Sequence, residues 1–249
     1  MDLQKISVTV LSKNSQQHIQ AVLQALTPFG EVVLYDTGST DNTMEIAHAF
    51  PNVRIVQAEF EGFGKTHNKA SAAAKHEWVL SIDSDELATP ELCAAVQKEQ
   101  LDPKAVYLFP RRNYFNNKWI KGCGWHPDRQ IKLYHRQHTR FSNDQVHEAI
   151  EARQMRKVHL DGPILHYSYS SIADFLTKMQ LYSTLFAVQN KGKKRSSLFK
   201  AVSHGLFAFI KSYILKKGFL DGVEGFVISS YNGHTAFYKY LKLREANRS

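Results

Sequence analysis

Apolar residues in the first hundred positions alternate between short continuous runs and periodic stretches. ISVTVLS (6–12), EVVLYDT (31–37), VRIVQAE (53–59) and EWVLSID (77–83) have the length and composition of buried strands. Between the first two, Ile19, Val22, Leu23 and Leu26 recur at i, i+3, i+4 and i+7, which predicts a helix from about Ser15. A second helix is expected after GSTDN, capped by Ser39 or Thr40 and carrying Ile46, Ala47 and Phe50. The turn EGFGK leads into a third helix, THNKASAAAKH, and Thr89-Pro90 opens a fourth with proline at its first position. Strands alternating with helices at this spacing predict an open, mainly parallel, Rossmann-like α/β sheet.

From residue 105 the rhythm changes. AVYLFPRRNYF, WIKGCGW, RQIKLYH, QVHEAIE and PILHYSY read as shorter strands of mixed direction. Beyond Ser171 the pattern is helical, with segments near 171–190, 196–217 and 221–243 broken by NKGKKR and KKGFLDG. The expected organisation is a domain over 1–170, with halves 1–105 and 106–170, and a helical extension over 171–249.

Charge divides along the same line. Residues 1–105 carry 8 Lys/Arg and 14 Asp/Glu, a balance of −6, whereas residues 106–249 carry 24 and 9, a balance of +15. The first half suits a cation and the second something anionic. The two cysteines, Cys93 and Cys123, have no CxxC spacing, which argues against a zinc cage or a disulfide framework and fits a reducing compartment. The opening MDLQKISVTVLSKN lacks a signal-peptide pattern, and Lys200, His204 and Lys211 interrupt the most apolar C-terminal stretch. Neither a leader nor a membrane span is therefore expected. Basic residues from Lys191 to Lys217 flank apolar helical stripes, an arrangement that suits an anionic membrane surface. A basic protein with 11 Tyr and 15 Phe also raises nucleic-acid binding. The aromatics, however, fall at core spacing and no RNA or DNA motif is present.

In an open α/β sheet, ligands bind outside the carboxyl ends of the strands. Ser12, Asp36 and Asp83 occupy such ends. Asp83 and Asp85 form a D-x-D whose carboxylates point to one side, a hard oxygen site suited to Mg²⁺ or Mn²⁺. Asp36 is placed to accept a hydrogen bond from a base or a ribose, with Gly38 turning the chain after it, and Asp41 caps the next helix.

Together VTVLSKN, VVLYDTGSTDNT, EGFGKTHNKA and LSIDSDE resemble the inverting family 2 glycosyltransferases of GT-A fold. GCGWHPDRQIKLYHR, VHEAI, ILHYSY and the GFLDG tail are similar, more narrowly, to bacterial lipopolysaccharide-core β-1,4-glucosyltransferases. The resemblance implies that Ser12 and Asp36 hold the base of a UDP-sugar such as UDP-glucose, and that Asp83 meets the ribose or the metal shell. It implies that Asp85 coordinates Mn²⁺ or Mg²⁺ at the diphosphate. The resemblance also implies that His166 completes the metal shell, with His147 as the competing choice. Many relatives carry Arg where this chain has His67, so the contact there is left to Lys65, His67 or Asn68. The inverting reaction needs one base, for which Glu148, Asp128 and Asp144 are the candidates. The acceptor implied is a lipid-linked oligosaccharide on the inner face of the cytoplasmic membrane. Another cell-surface glycan or a polypeptide remains an alternative.

Overall fold

The computed structural model describes residues 1–142 and 149–248. The chain divides into two compact units, Met1–Arg111 with Asp128–His166, and Arg112–Pro127 with Tyr167–Ser249. The sequence placed one boundary near 170. The helical unit begins close to there but also takes in residues 112–127, which pattern alone assigned to the sheet-rich half.

The first unit is built on strands β1 (Ile6–Ser12), β2 (Glu31–Asp36), β3 (Val53–Gln57) and β4 (Trp78–Asp83). They run parallel in the order β3-β2-β1-β4. Every residue of β2 and nearly every residue of β1 is buried, as expected for a parallel sheet covered on both faces. Helices α1 (Ile19–Ala25), α2 (Thr43–His48), α3 (Phe63–Ala73) and α4 (Pro90–Lys98) supply the crossovers and flanks. Ile6, Val8 and Val10 pack with Leu34, Leu80 and Ile82 in the core. Thr89 caps α4 by accepting from the Leu92 N–H, with Pro90 in the first turn, as its sequence predicts.

Past β4 the sheet becomes mixed. β5 (Glu86–Ala88), β6 (Ala105–Phe115), β8 (Arg129–His135), β9 (Arg156–His159) and β10 (Ile164–Tyr169) extend it in the order β4-β8-β6-β10-β5, with β9 beside β6. Strand β8 runs antiparallel to β4 and β6 antiparallel to β8. The three-residue β5 was not foreseen. It pairs antiparallel with β10 in a register that sets His166 opposite Glu86. The expected strand around QVHEAI falls largely on residues 143–148, outside the described residues; its flanks meet in a bridge between Phe141 and Ile150.

The second unit contains β7 (Lys118–Trp119), α5 (Ile172–Asn190), α6 (Leu198–Ile210) and α7 (Gly222–Ala246). A π turn (Lys211–Leu215) and a 3-10 turn (Gly218–Asp221) join the last two helices. Ser171 and Asp174 form a reciprocal capping box at the start of α5. Residues 112–127 belong here because Asp221 holds them. Its carboxylate accepts from the N–H groups of Gly122 at 2.6 Å and Lys121 at 3.3 Å, and its carbonyl accepts from Lys118 Nζ at 2.6 Å. A Cβ at Gly225 would stand 1.8 Å from the Gly218 carbonyl oxygen, so only glycine permits this turn to close on α7.

Candidate functional site

Strand β1 lies between β2 and β4, so the connections leave it in opposite directions and open a crevice at the carboxyl ends. The register pairs Ser12 with Asp36 and Leu11 with Asp83, which brings the strand-end residues side by side. Ser12 Oγ lies 3.2 Å from Ser15 Oγ, which in turn donates to Ser84 Oγ at 3.0 Å. This hydroxyl relay ties the end of β1 to the D-x-D turn.

Asp36 differs from expectation. It is fully buried, and its carboxylate accepts from the Gly38 N–H at 3.1 Å, the Ser39 N–H at 2.9 Å and the Ser39 hydroxyl. A carboxylate so engaged in its own turn is not presented to a base or ribose in this structure. Gly38, with φ +97°, lets the turn fold back onto it. The helix that follows starts at Thr43 with Asn42 at its cap position, not Ser39 or Thr40; Asp41, just before it, accepts from Thr43 N–H and Gln16 N–H.

Beside this turn is a cavity of about 390 Å³ lined by Ser12, Lys13, Thr37, Ser84, Phe60 and Phe63. The two phenyl rings meet edge to face at 5.0 Å and are nearly half exposed. Exposed, paired aromatics beside a polar crevice offer a stacking platform for a planar ring. Sequence reasoning passed over them because EFEGFGK reads as a turn. The signal was two phenylalanines three residues apart in a segment with no other apolar residue to pack against.

The D-x-D residues separate by environment. Asp83 Oδ2 pairs with Lys132 Nζ at 3.0 Å, and the same ammonium reaches Glu86 Oε2 at 2.6 Å. Glu86 also accepts from the Asp83 N–H at 3.0 Å and from Arg111 at 3.3 Å, and Arg111 Nε continues to Asp128 at 2.8 Å. Desolvation works against ionising Asp83, but the charge and hydrogen bond of Lys132 together with the nearby His67 and His166 outweigh it and hold the carboxyl below its usual range. Glu86, fully buried, is pushed up by desolvation and by the Asp83 charge. Burial would lower Lys132, but the two carboxylates overcome it and raise its pKa. Neither Lys132 nor Arg111 was singled out from sequence. Each lies on a strand distant in sequence from the D-x-D, and pattern does not show that β8 pairs with β4.

Asp85 faces His166. Its Oδ2 lies 3.6 Å from His166 Nε2, with both side chains partly accessible. A carboxylate oxygen and an imidazole nitrogen sharing one ion at about 2.1 Å each would stand about 3 Å apart, so a small inward movement makes them adjacent ligands. Among the described residues no group of three or more His, Cys, Asp or Glu side chains gathers around an ion. The pair supplies two ligand types that Mn²⁺ or Mg²⁺ accepts.

His67 is buried and stacks on Phe141 at 4.2 Å, with Nδ1 3.5 Å from Ser81 Oγ. Burial pushes its pKa down to about 4, against the raising effect of Asp83. It lines a second cavity of about 390 Å³ with Asp83, Lys132, Arg111, Gln130 and Ile150. Asn68 is engaged within the protein: its amide oxygen and nitrogen both bond the backbone of Phe141, at 2.9 Å each. Lys65 is exposed on α3 and borders a separate cavity with Arg136 and Arg140. Asp128 is tied to Arg111 and accepts from Gln130 Nε2 at 2.6 Å. Asp144, His147 and Glu148 lie outside the described residues.

The family model described as glycosyl transferase family 2 matches residues 7–162. An uncharacterized glycosyltransferase of Rickettsia typhi is 26% identical over 98% of this chain and 88% of its own length. The lipopolysaccharide core biosynthesis glycosyltransferase LpsC of Rhizobium meliloti is 24% identical over 96% of this chain and 91% of its own. Among solved structures, residues 1–349 of S. aureus TarS, in complex with UDP-GlcNAc, align with a TM-score of 0.49 and 17% identity over 98% of this chain and 89% of that one. Glucosyl-3-phosphoglycerate synthase from Mycobacterium tuberculosis, in complex with Mn²⁺, UDP and phosphoglyceric acid, aligns with a TM-score of 0.35 and 23% identity over 45% of this chain and 44% of that one. The family match runs from β1 through the D-x-D turn to β9, and the sheet is the α/β sheet expected of that family. The chain belongs to glycosyl transferase family 2.

Proposed function

We propose that the chain is an inverting, metal-dependent transferase that moves a hexose, glucose by preference, from a UDP-sugar to a hydroxyl of the lipopolysaccharide inner core. The observation that carries this reading is the spacing of 3.6 Å between Asp85 and His166 at the carboxyl end of the central strands. Uracil is read into the cavity beside Phe60 and Phe63, with Ser12 and the turn built by Asp36 forming its polar edge. Asp83 faces the ribose, its charge already fixed by Lys132.

Asp85 and His166 would hold Mn²⁺ or Mg²⁺. When bound, the ion neutralises charge that develops on the diphosphate as the sugar–phosphate bond breaks. The acceptor hydroxyl attacks the anomeric carbon from the opposite face, that bond forms as the bond to the diphosphate breaks, and UDP leaves with the electron pair. The hydroxyl proton passes to a carboxylate. Glu148 is the residue proposed, as the carboxylate of the VHEAI motif. Asp128 is the weaker candidate, because its carboxylate is already engaged by Arg111 and Gln130. Arg129 and Lys157 on the same cavity suit an acceptor bearing phosphate or carboxylate groups.

The similarity to LpsC over nearly the full length supports the choice of acceptor class. The test is UDP release from UDP-glucose with purified core oligosaccharide, followed by NMR of the product. A β-linked glucose on the core is expected from an α-linked donor. Turnover of UDP-glucose only with a teichoic or peptide acceptor would replace the acceptor, and turnover of no UDP-sugar would overturn the reading.

A further inference from the structure

The outer face of α6 is apolar and uncovered. Phe199 is 83% exposed, Leu206 60% and Phe207 58%, while Ala201 and Gly205 on the opposite edge are buried against α7. The surface continues over the elbow that follows, where Leu215 is 64% exposed, Leu220 69% and Val223 74%. Monomeric proteins rarely expose a contiguous apolar patch of this extent without a partner.

Charge identifies the partner. Residues 191–217 contain eight Lys or Arg and no Asp or Glu. Lys191, Lys193, Lys194 and Arg195 precede the stripe, Lys216 and Lys217 close it, and Lys200 and Lys211 lie within it. Two copies of this face brought together would oppose like charges. A bilayer with anionic headgroups accepts the apolar residues and pairs the basic ones. We propose that the outer face of α6, with the elbow after it and the first turn of α7, lies in the plane of an anionic lipid bilayer.

Leu198–Leu215 is also long and apolar enough to cross a membrane by length and composition. The sequence reading had excluded a span because charged residues interrupt the run. The structure gives a second argument against crossing. Ser212 Oγ accepts from Ser229 and from Asn232 of α7 at 3.0 Å each, and Gly205 abuts Gly233 and Phe237. A spanning helix would break those contacts and carry Lys200, His204 and Lys211 into hydrocarbon. Lying flat keeps all of them.

The proposal concerns a surface distant in sequence from the donor site, and its test uses neither donor nor metal, so it stands or falls apart from the proposed reaction. The full chain is sedimented with vesicles of phosphatidylcholine alone and of phosphatidylcholine mixed with phosphatidylglycerol. Binding to the anionic vesicles is expected to be about tenfold tighter or more, and weaker in high salt. Leu206→Ser and Val223→Ser, each checked for folding by far-ultraviolet circular dichroism, are expected to weaken it by about tenfold. Phe207→Trp keeps a large apolar residue, and its fluorescence is expected to be quenched by lipids with brominated acyl chains. Equal recovery with both vesicle types, or no quenching, overturns the proposal. So does a blue shift of the Phe207→Trp emission with rising protein concentration in the absence of lipid, since a second copy would then cover the face.

Discussion

The Lys132 ammonium lies 3.0 Å from the Asp83 carboxylate, 49 positions earlier in the chain, and anchors the first acid of the D-x-D turn to the neighbouring strand. The same ammonium satisfies the fully buried Glu86. Replacing it with methionine keeps the bulk and strands the carboxylates. Lys132→Met is expected to lower stability by about 3–5 kcal/mol, the usual cost of removing one partner of a buried ion pair. Urea denaturation measures this. A loss below about 1 kcal/mol, the value of an exposed pair, would mean that water reaches the network.

His67 gives a pH dependence of defined sign. Its pKa falls from 6.5 to about 4 on folding, so between those values the unfolded chain binds a proton that the folded chain refuses. Its contribution is complete above pH 6.5 and is lost as pH falls toward 4. The size is about 3 kcal/mol over that window, at roughly 1.4 kcal/mol per pKa unit. His67→Phe preserves the stack on Phe141 and should flatten the stability profile there. An unchanged slope would place the titration elsewhere.

Phe60 and Phe63 are expected to bind the uracil ring. Loss of a base-stacking aromatic costs about 1–3 kcal/mol, so Phe63→Ala should weaken UDP by roughly five- to 150-fold. Fold stability should barely change, because the ring is 45% exposed. Titration calorimetry with UDP and with pyrophosphate separates base from phosphate: only UDP should weaken. Equal weakening of both would mean that the loop, not the ring, was lost.

The alternating half of the fold was legible because parallel strands buried on both faces leave continuous apolar runs, as in EVVLYD. The start of α4 was legible from Thr89-Pro90, whereas near Ser171 only the change to a helical pattern was legible and not the capping box. Strand pairing was not. Glu86 reads as part of an acidic turn, yet as β5 it pairs with β10 and brings His166 next to Asp85 across 81 positions. Long-range register also hid Lys132 and Arg111, whose residue types are unremarkable on a basic chain. Asp36 was placed correctly at the strand end, but its hydrogen bonds depend on how the turn folds back, which residue type does not reveal.

The choice of base separates by near-isosteric changes. Glu148→Gln is expected to reduce transfer by about 10²-fold or more with donor binding unaltered. Asp128→Asn should cost less in turnover and more in stability, since it weakens the contact with Arg111. Steady-state kinetics with urea midpoints for both variants checks this. An inactive Asp128→Asn beside an active Glu148→Gln would exchange the two roles.

The donor site itself is tested most directly by titrating UDP into the wild-type chain and into Asp85→Asn, each with Mn²⁺ and with chelator. Wild-type binding should be tight with Mn²⁺ and at least about tenfold weaker without it, and Asp85→Asn should bind weakly in both conditions. UDP binding that is indifferent to Mn²⁺, or Mn²⁺-dependent binding that survives in Asp85→Asn, would contradict a metal–diphosphate site at Asp85 and His166.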